Sequence, residues 1–563
     1  MRNLVGRWLC WLVLSGSFAL AQVAVATYRN DNYRSGANPQ ETILTLNNVS
    51  VQQFGRLATF PVLGQVYAQP LYVPGVRIGT ASHNMVVIAT EHDQVYAFDT
   101  TTYQQLWHAN LLKAPDRRIL VSPVSNTDVF CTDLRPEIGI TSTPVIDVPS
   151  ATLYTLAIMK YYDRHNNSTT FHQFLHAIDL TTGRDKVLRH EVSATAPGNG
   201  TGSVSGILTF DPLIEGQRGG LLLVNGEVYV GWASYCDNGN YHGWLMSFDK
   251  TTLAAHDVFV DTPNGYEGGF WASGAGPAAD RRGAIFVPTG NGDFAPDSGD
   301  YGDSILRLEV QCGRQGANRP CRRGRLAVVD YFTPWDQQTL DMNDIDVASG
   351  GLLLLPDQPS SRYPHLLVQV GKEGTIDLVN RDNMGHWHAG DDSQIVQTLP
   401  YAIGAMWGSP AAWNNYVYFG GVNDYLKAYT FDPQTQLLST SPTSQSPAQF
   451  YAPAPMPAVS SNGVNNGILW ALESDGANQG YAVLHAFLAT NLAIELYYSE
   501  QNPSRDRAGL SVKFTVPTIA DGHVFVGGQN QVTMYGLLFE HDAQRSPKRI
   551  AGSNRHDVVA RPH

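Results

Sequence analysis

Short runs in which apolar and polar residues alternate fill most of the chain, and clusters of Gly, Pro, Asn and Asp break them apart. Such period-two alternation sends successive side chains to opposite faces and predicts half-buried β-strands. The runs recur as a unit: an opening strand, a second strand rich in Val, Ile and Tyr, and a third ending in an aromatic or aliphatic residue and often Asp. The first unit reads AQPLYV, MVVIAT and QVYAFDTTTYQQLW, and the second STPVID, TLYTLAIM and FLHAIDLTTG. Later units include GLLLVNGEVYVGWAS with GWLMSFDKTT, GPAAD with GAIFVPTGN and SILRLEV, and GLLLLPD with HLLVQVG and GTIDLVNRDNMGHW. The eighth and last is TVPTIADGHVFVGGQNQVTMYGLL. No run of helical periodicity competes with these strands.

Strands this short cannot bury a face singly, so the units must stack. Radial stacking protects most strand edges. The pattern therefore predicts an all-β chain: a single eight-bladed β-propeller of four-stranded antiparallel blades spanning residues 22–540. Seven blades would follow if the insert-rich fourth and fifth copies merged. The final GLLF is expected to share a blade with the early RLATF and so close the ring. A row of separate sandwiches is the competing all-β arrangement, but no stretch has the character of an inter-domain linker.

Composition agrees: 53 Gly, 32 Pro and 10% aromatic residues suit many short strands joined by turns. The formal charge of −13 excludes a general binder of nucleic acid or anionic membrane. Residues 1–21 read as a signal peptide, with Arg2 and Arg7 before a short apolar run and Ala19-Leu20-Ala21 at the cleavage spacing. No membrane span is expected, and the mature protein is expected to be exported, periplasmic or secreted. Export leaves Cys131, Cys236, Cys312 and Cys321, an even set for an oxidising compartment. Three pairings are possible, and the simplest is Cys312–Cys321 across a small loop with Cys131–Cys236 between distant loops. No CxxCH is present, so no covalent haem is expected. Residues 541–563 form a polar tail without apolar periodicity, expected to be disordered.

Candidate chemistry concentrates between Phe270 and Asp336. Trp271 precedes a predicted strand, 284–288, that ends in Thr289-Gly290-Asn291-Gly292, and Asp336 follows in a later loop. A flat ring, an amide oxygen and a carboxylate at strand ends can build a planar-ligand or metal site. A core tryptophan and an ordinary hairpin turn explain the same residues. Glu137 could line the axis or pair with Arg135. Asp341, Asp344 and Asp346 have the alternate spacing of a calcium loop without its glycine and glutamate, which favours a plain turn. His386 and His388, flanking Trp387, read as surface or packing residues rather than metal ligands.

The segment YAFDTTTYQQLW resembles the tryptophan-docking motif of the quinoprotein alcohol dehydrogenase superfamily, and NYRSGANPQETILTLNNVSVQQFGRL resembles its lead-in. The resemblance covers nearly the whole mature chain, which is also similar to secreted PQQ-like repeat proteins without an assigned reaction. It implies an eight-bladed propeller binding pyrroloquinoline quinone (PQQ) and calcium over the central axis, and oxidation of an alcohol or sugar with a separate electron acceptor. By the same resemblance Trp271 is the floor under the quinone and Asn291 a calcium ligand. Asp336, in Thr333-Pro334-Trp335-Asp336, is the catalytic base and a second metal ligand, and Lys372 contacts the quinone oxygens. The family's calcium-binding glutamate is replaced here by Asp237 or Asn238, and its adjacent cysteine pair by a lone Cys131. A propeller that kept the fold, lost the cofactor and serves as a binding protein or scaffold is the alternative.

Overall fold

The computed structural model describes residues 23–312, 324–474 and 479–538. The expected signal peptide, the Cys312–Cys321 pairing and the C-terminal tail lie outside the described residues. The described chain is almost entirely β, with two short α-helices, Gln337–Met342 and Pro503–Asp506. Its strands form eight sheets of three to six strands and two small ribbons of two, so strand number is not uniform.

Alternation explains how these sheets pack. In the strand Thr152–Asp163, Leu153, Ala157 and Met159 join a core cluster with the sheet containing Leu71–Ile78. Their alternates Tyr154 and Leu156 join a different cluster with the sheet containing Glu227–Ala233. Each sheet thus buries one face on its predecessor and one on its successor. Eight such clusters follow one another, and the last returns to the first: Phe60 and Met534 pack with Tyr72 and Ile88. The result is a closed ring. Its seam is the antiparallel pairing of Phe54–Gln65 with His523–Leu537, in which Phe54 faces Leu537 and Arg56 faces Tyr535. This joins the two chain segments that the sequence pattern paired.

The recurring Asp-Thr turns have a local cause. Asp99 Oδ1 accepts from the N–H groups of Thr101 (2.8 Å) and Thr102 (2.7 Å), and Asp249 Oδ1 does the same with Thr251 (3.0 Å) and Thr252 (2.7 Å). Trp107, ending the first unit, donates through Nε1 to Leu180 O at 2.7 Å in the next sheet. Its ring lies so close to Gly183 that a β-carbon there would stand 2.6 Å from Trp107 Cε3, and Gly183 also has φ 69°.

The segment from Val25 to Asn38 fills the axis and touches the opening strands of the sheets in turn. Val25 pairs with Tyr72, and the carbonyls of Ala26, Asn32, Tyr33, Ser35 and Gly36 accept from Ile146, Ala279, Leu354, Ala412 and Val459. Asn38 Nδ2 reaches Ile519 O at 3.0 Å. Two buried arginines hold the segment. Arg34 donates to Pro277 O at 2.9 Å and Tyr28 O at 2.9 Å, and Arg29 to Pro457 O and Pro410 O. Gly36, at φ 66°, packs against the Arg29 guanidinium, which a β-carbon would meet at 2.3 Å.

Candidate functional site

Within each sheet the loop after the second strand, and the loop leading to the next sheet, emerge at the same end because the strands are antiparallel. These loops enclose a cavity of about 330 Å³, with Trp271, Asp346, Lys372, Asp237, Arg218 and Lys513 among its walls. The side chains come from loops of two sheets and from three connections between sheets, so only ring closure assembles the site.

Trp271 precedes the 3-10 turn Ala272–Gly274, which Ser273 pins by donating to Ser349 O at 2.7 Å. Two cations flank its ring, Arg218 Cζ at 5.6 Å and Lys372 Nζ at 5.9 Å from the centroid. Asp346 is the hub. Its Oδ1 accepts from Trp271 Nε1 (3.2 Å) and from the N–H of Asn291 (3.0 Å), and its Oδ2 lies 2.6 Å from Lys372 Nζ. Lys372 donates as well to the backbone and side chain of Asp344. Burial disfavours the ammonium, but Asp346 and Asp344 outweigh it and hold Lys372 above its ordinary value. Burial raises the Asp346 carboxyl in spite of that partner.

Asn291 follows the strand Ile285–Pro288 and is buried behind Asp346. Its Nδ2 donates to Asp344 Oδ1 at 3.1 Å, and its Oδ1 is a buried acceptor without a partner. Asp237 is oriented by Ser234 Oγ and Tyr241 Oη, each donating to Oδ1 at 3.0 Å. Behind it, burial and then Asp237 push Glu267 up to about 7. On the opposite wall Asp133 lies between Lys513 Nζ (3.2 Å) and Arg218 (3.8 Å). Burial alone would raise Asp133, and those two cations bring it below its ordinary value.

The disulfide Cys131–Cys236 forms, with α-carbons 5.6 Å apart, within the normal bridging range, and Cys236 contributes to the cavity wall. Asn238 does not join Asp237. Its amide turns back to Val129 O (3.1 Å) and Phe130 O (3.2 Å), bracing the disulfide-linked loop.

Asp336, expected to share a cation with Asn291, is not at this cavity. It stands just before the helix Gln337–Met342, without a side-chain capping bond, and lines a neighbouring recess with Glu373 and Asp392. The helix separates it from the carboxylate that does reach Trp271, Asp346, which the sequence pattern had placed in a plain turn. Arg218, Lys513 and Glu267 carried no motif and could not be found from spacing. Glu137 instead meets His92 at 2.8 Å, and His386 stacks on Tyr331 at 4.4 Å.

One buried carboxylate close to this end of the ring sets a pH dependence. Glu91 accepts at Oε2 from the N–H of Gly139 (2.7 Å) and Thr141 Oγ1 (3.0 Å), while Oε1 has no partner. Burial pushes it up to about 8 from an ordinary 4.5. The folded chain therefore holds a proton that the unfolded chain releases first, so stability falls between those two values, by on the order of 4 kcal/mol. Glu91→Gln keeps the acceptor and removes the ionisable group. Thermal melts should show it stabilising the protein by several degrees near pH 9 and hardly at all near pH 5; an equal shift at both would refute the linkage.

No protein-family model and no curated protein matches this sequence. Solved structures do resemble it. The quinohemoprotein alcohol dehydrogenase ADHIIG from Pseudomonas putida HK5 superposes with a TM-score of 0.55 at 12% identity, over 94% of this chain and 82% of that one. The quinohemoprotein alcohol dehydrogenase from Comamonas testosteroni gives 0.55 at 13% identity, over 91% and 80%. At such identities the likeness is one of fold alone, that of a β-propeller. No helix among the described residues is long and apolar enough to cross a membrane.

Proposed function

We propose that the eight sheets are eight blades of an exported, PQQ- and calcium-dependent dehydrogenase that oxidises a small alcohol or sugar and passes the electrons to a separate acceptor. One observation carries the reading. Asp346 is held at once by Trp271, Asn291 and Lys372, beside an Asn291 oxygen that is buried and unpartnered.

The residues suit the cofactor pair. Trp271 offers a flat floor, and Arg218, Lys372 and Lys513 offer cations for a planar polyanion. Asn291 Oδ1, Asp346 and Asp237 supply the hard oxygen donors that calcium takes. Bound PQQ would supply a two-electron acceptor whose carbonyl calcium polarises. The chain's own part is then proton transfer and orientation. Asp346 is placed to take the hydroxyl proton of the substrate at Oδ2, with Lys372 keeping that carboxylate ionised until it does. Trp271 Nε1 and the Asn291 N–H fix the other oxygen, so the base presents one defined lone pair.

The test is to incubate the purified protein with PQQ and calcium, dialyse it, and record retained quinone absorbance and dye reduction across a panel of alcohols and sugars. Retention with turnover supports the dehydrogenase. Retention without turnover would make the propeller a cofactor-binding protein, and loss of all absorbance on dialysis would remove the cofactor from the account.

A further inference from the structure

Beside the first cavity, and sharing Asp346 with it as a wall, lies a second of about 330 Å³. Asp336, Glu373, Asp377 and Asp392 line it, and no Lys, Arg or His does among the described residues. None of these four carboxylates has an ion-pair partner among the described residues, unlike Asp346 or Asp133. At its base Gln369, Asp377 and Thr398 stand side by side in register on three neighbouring strands. Two of them keep a buried side-chain oxygen without a hydrogen-bond partner, Gln369 Oε1 and Asp377 Oδ1, while the Thr398 hydroxyl stands beside the Asp377 carboxylate as a donor. Gln369 is 1% exposed and Asp377 8%. The Gln369 amide nitrogen is committed to Val347 O (2.7 Å) and Gly350 O (3.0 Å), which leaves its oxygen as the free acceptor. Trp335 (46% exposed) and Tyr401 (73%) stand at the same recess.

We propose that this second cavity binds a small organic ammonium ion. Buried acceptors without donors and unpaired carboxylates call for a ligand that brings N–H groups and positive charge together. A neutral polyol would bring the donors and leave the charge uncompensated. A bare metal ion would need its oxygens gathered at about 2.3–2.6 Å. A triad of His, Asp or Glu ligand atoms within 4.8 Å of one another occurs elsewhere among the described residues, at Glu227, Asp249 and His256. Asp336, Glu373, Asp377 and Asp392 form no such triad. The volume is that of a small-molecule pocket, and the two rings add faces that favour an alkylammonium. Burial, and then the neighbouring acids, hold Asp377 well above its ordinary value and Asp392 at about 6, a strain that a bound cation relieves.

The inference does not rest on the cofactor reading, and its test uses the purified protein without PQQ. Isothermal titration at neutral pH with putrescine should give one saturable site, and butanediol of the same chain length should give no heat. Glu373→Gln, at a half-exposed position, and Asp377→Asn should each weaken putrescine by about tenfold or more, the scale of one lost charge-assisted bond. Asp432→Asn, on an exposed turn, should change nothing. Butanediol binding equal to putrescine would overturn the proposal. So would calcium saturating the site and excluding putrescine, equal weakening by Asp432→Asn, or the absence of saturable heat from folded protein. Glu373→Gln keeps the test decisive if Asp377→Asn fails to fold.

Discussion

Asp346→Asn is expected to lower PQQ-dependent dye reduction by about a thousandfold, within the range that general-base removal costs. The asparagine keeps an oxygen for Trp271 Nε1 and the Asn291 N–H, so the floor and the turn that flank it should stay in place. What it loses is the charge facing Lys372 at 2.6 Å and the ability to take a proton. Lys372 retains Asp344, so the cavity is not left with an isolated buried cation. Quinone retention after dialysis should therefore fall far less than turnover. Activity within about tenfold of the unmodified protein would take Asp346 out of the reaction. Equal loss of retention and turnover would make it a binding residue alone.

Removing the disulfide is the second large effect. Cys131 and Cys236 are separated by 105 residues and tie the loop between Ile119–Ser125 and Glu137–Ile138, within one sheet, to a loop of the next. Opening a loop that long frees the unfolded chain by on the order of 4–5 kcal/mol in the chain-entropy account. The paired Cys131→Ala, Cys236→Ala variant should melt several degrees lower. Its loss should also loosen the wall that carries Asp237, so calcium-dependent quinone retention should drop with it. Thermal melts with and without reductant check the first part; a double variant as stable as the oxidised protein would show that the ring holds these loops unaided.

The amino-acid sequence by itself determined what depends on neighbours along the chain. Alternation of period two set the strands, because adjacent side chains on a pleated backbone must face opposite ways. The Asp-Thr repeats set turns through bonds only a few residues long, as at Asp99 and Asp249. Stacking of copies too small to stand alone implied a closed array, and the seam between 56–60 and the last strand followed from it. Trp271, Lys372 and Asp237, carried by resemblance to strand-end motifs, do reach one cavity.

Only the tertiary structure decided which carboxylate accompanies them. Asp336 and Asp346 share one connection between sheets, and each looks eligible from its neighbours. The helix Gln337–Met342 turns the chain so that the first points into the acidic recess and the second toward Trp271. Arg218 and Lys513 reach the cavity from loops remote in sequence, and nothing local marks them. The row of Gln369, Asp377 and Thr398 reads along the chain as three ordinary strand polars, and register alone brings them side by side. Local pattern specifies strands because strand geometry is a property of consecutive residues. A site at the end of a ring is a property of closure, which no short stretch of sequence contains.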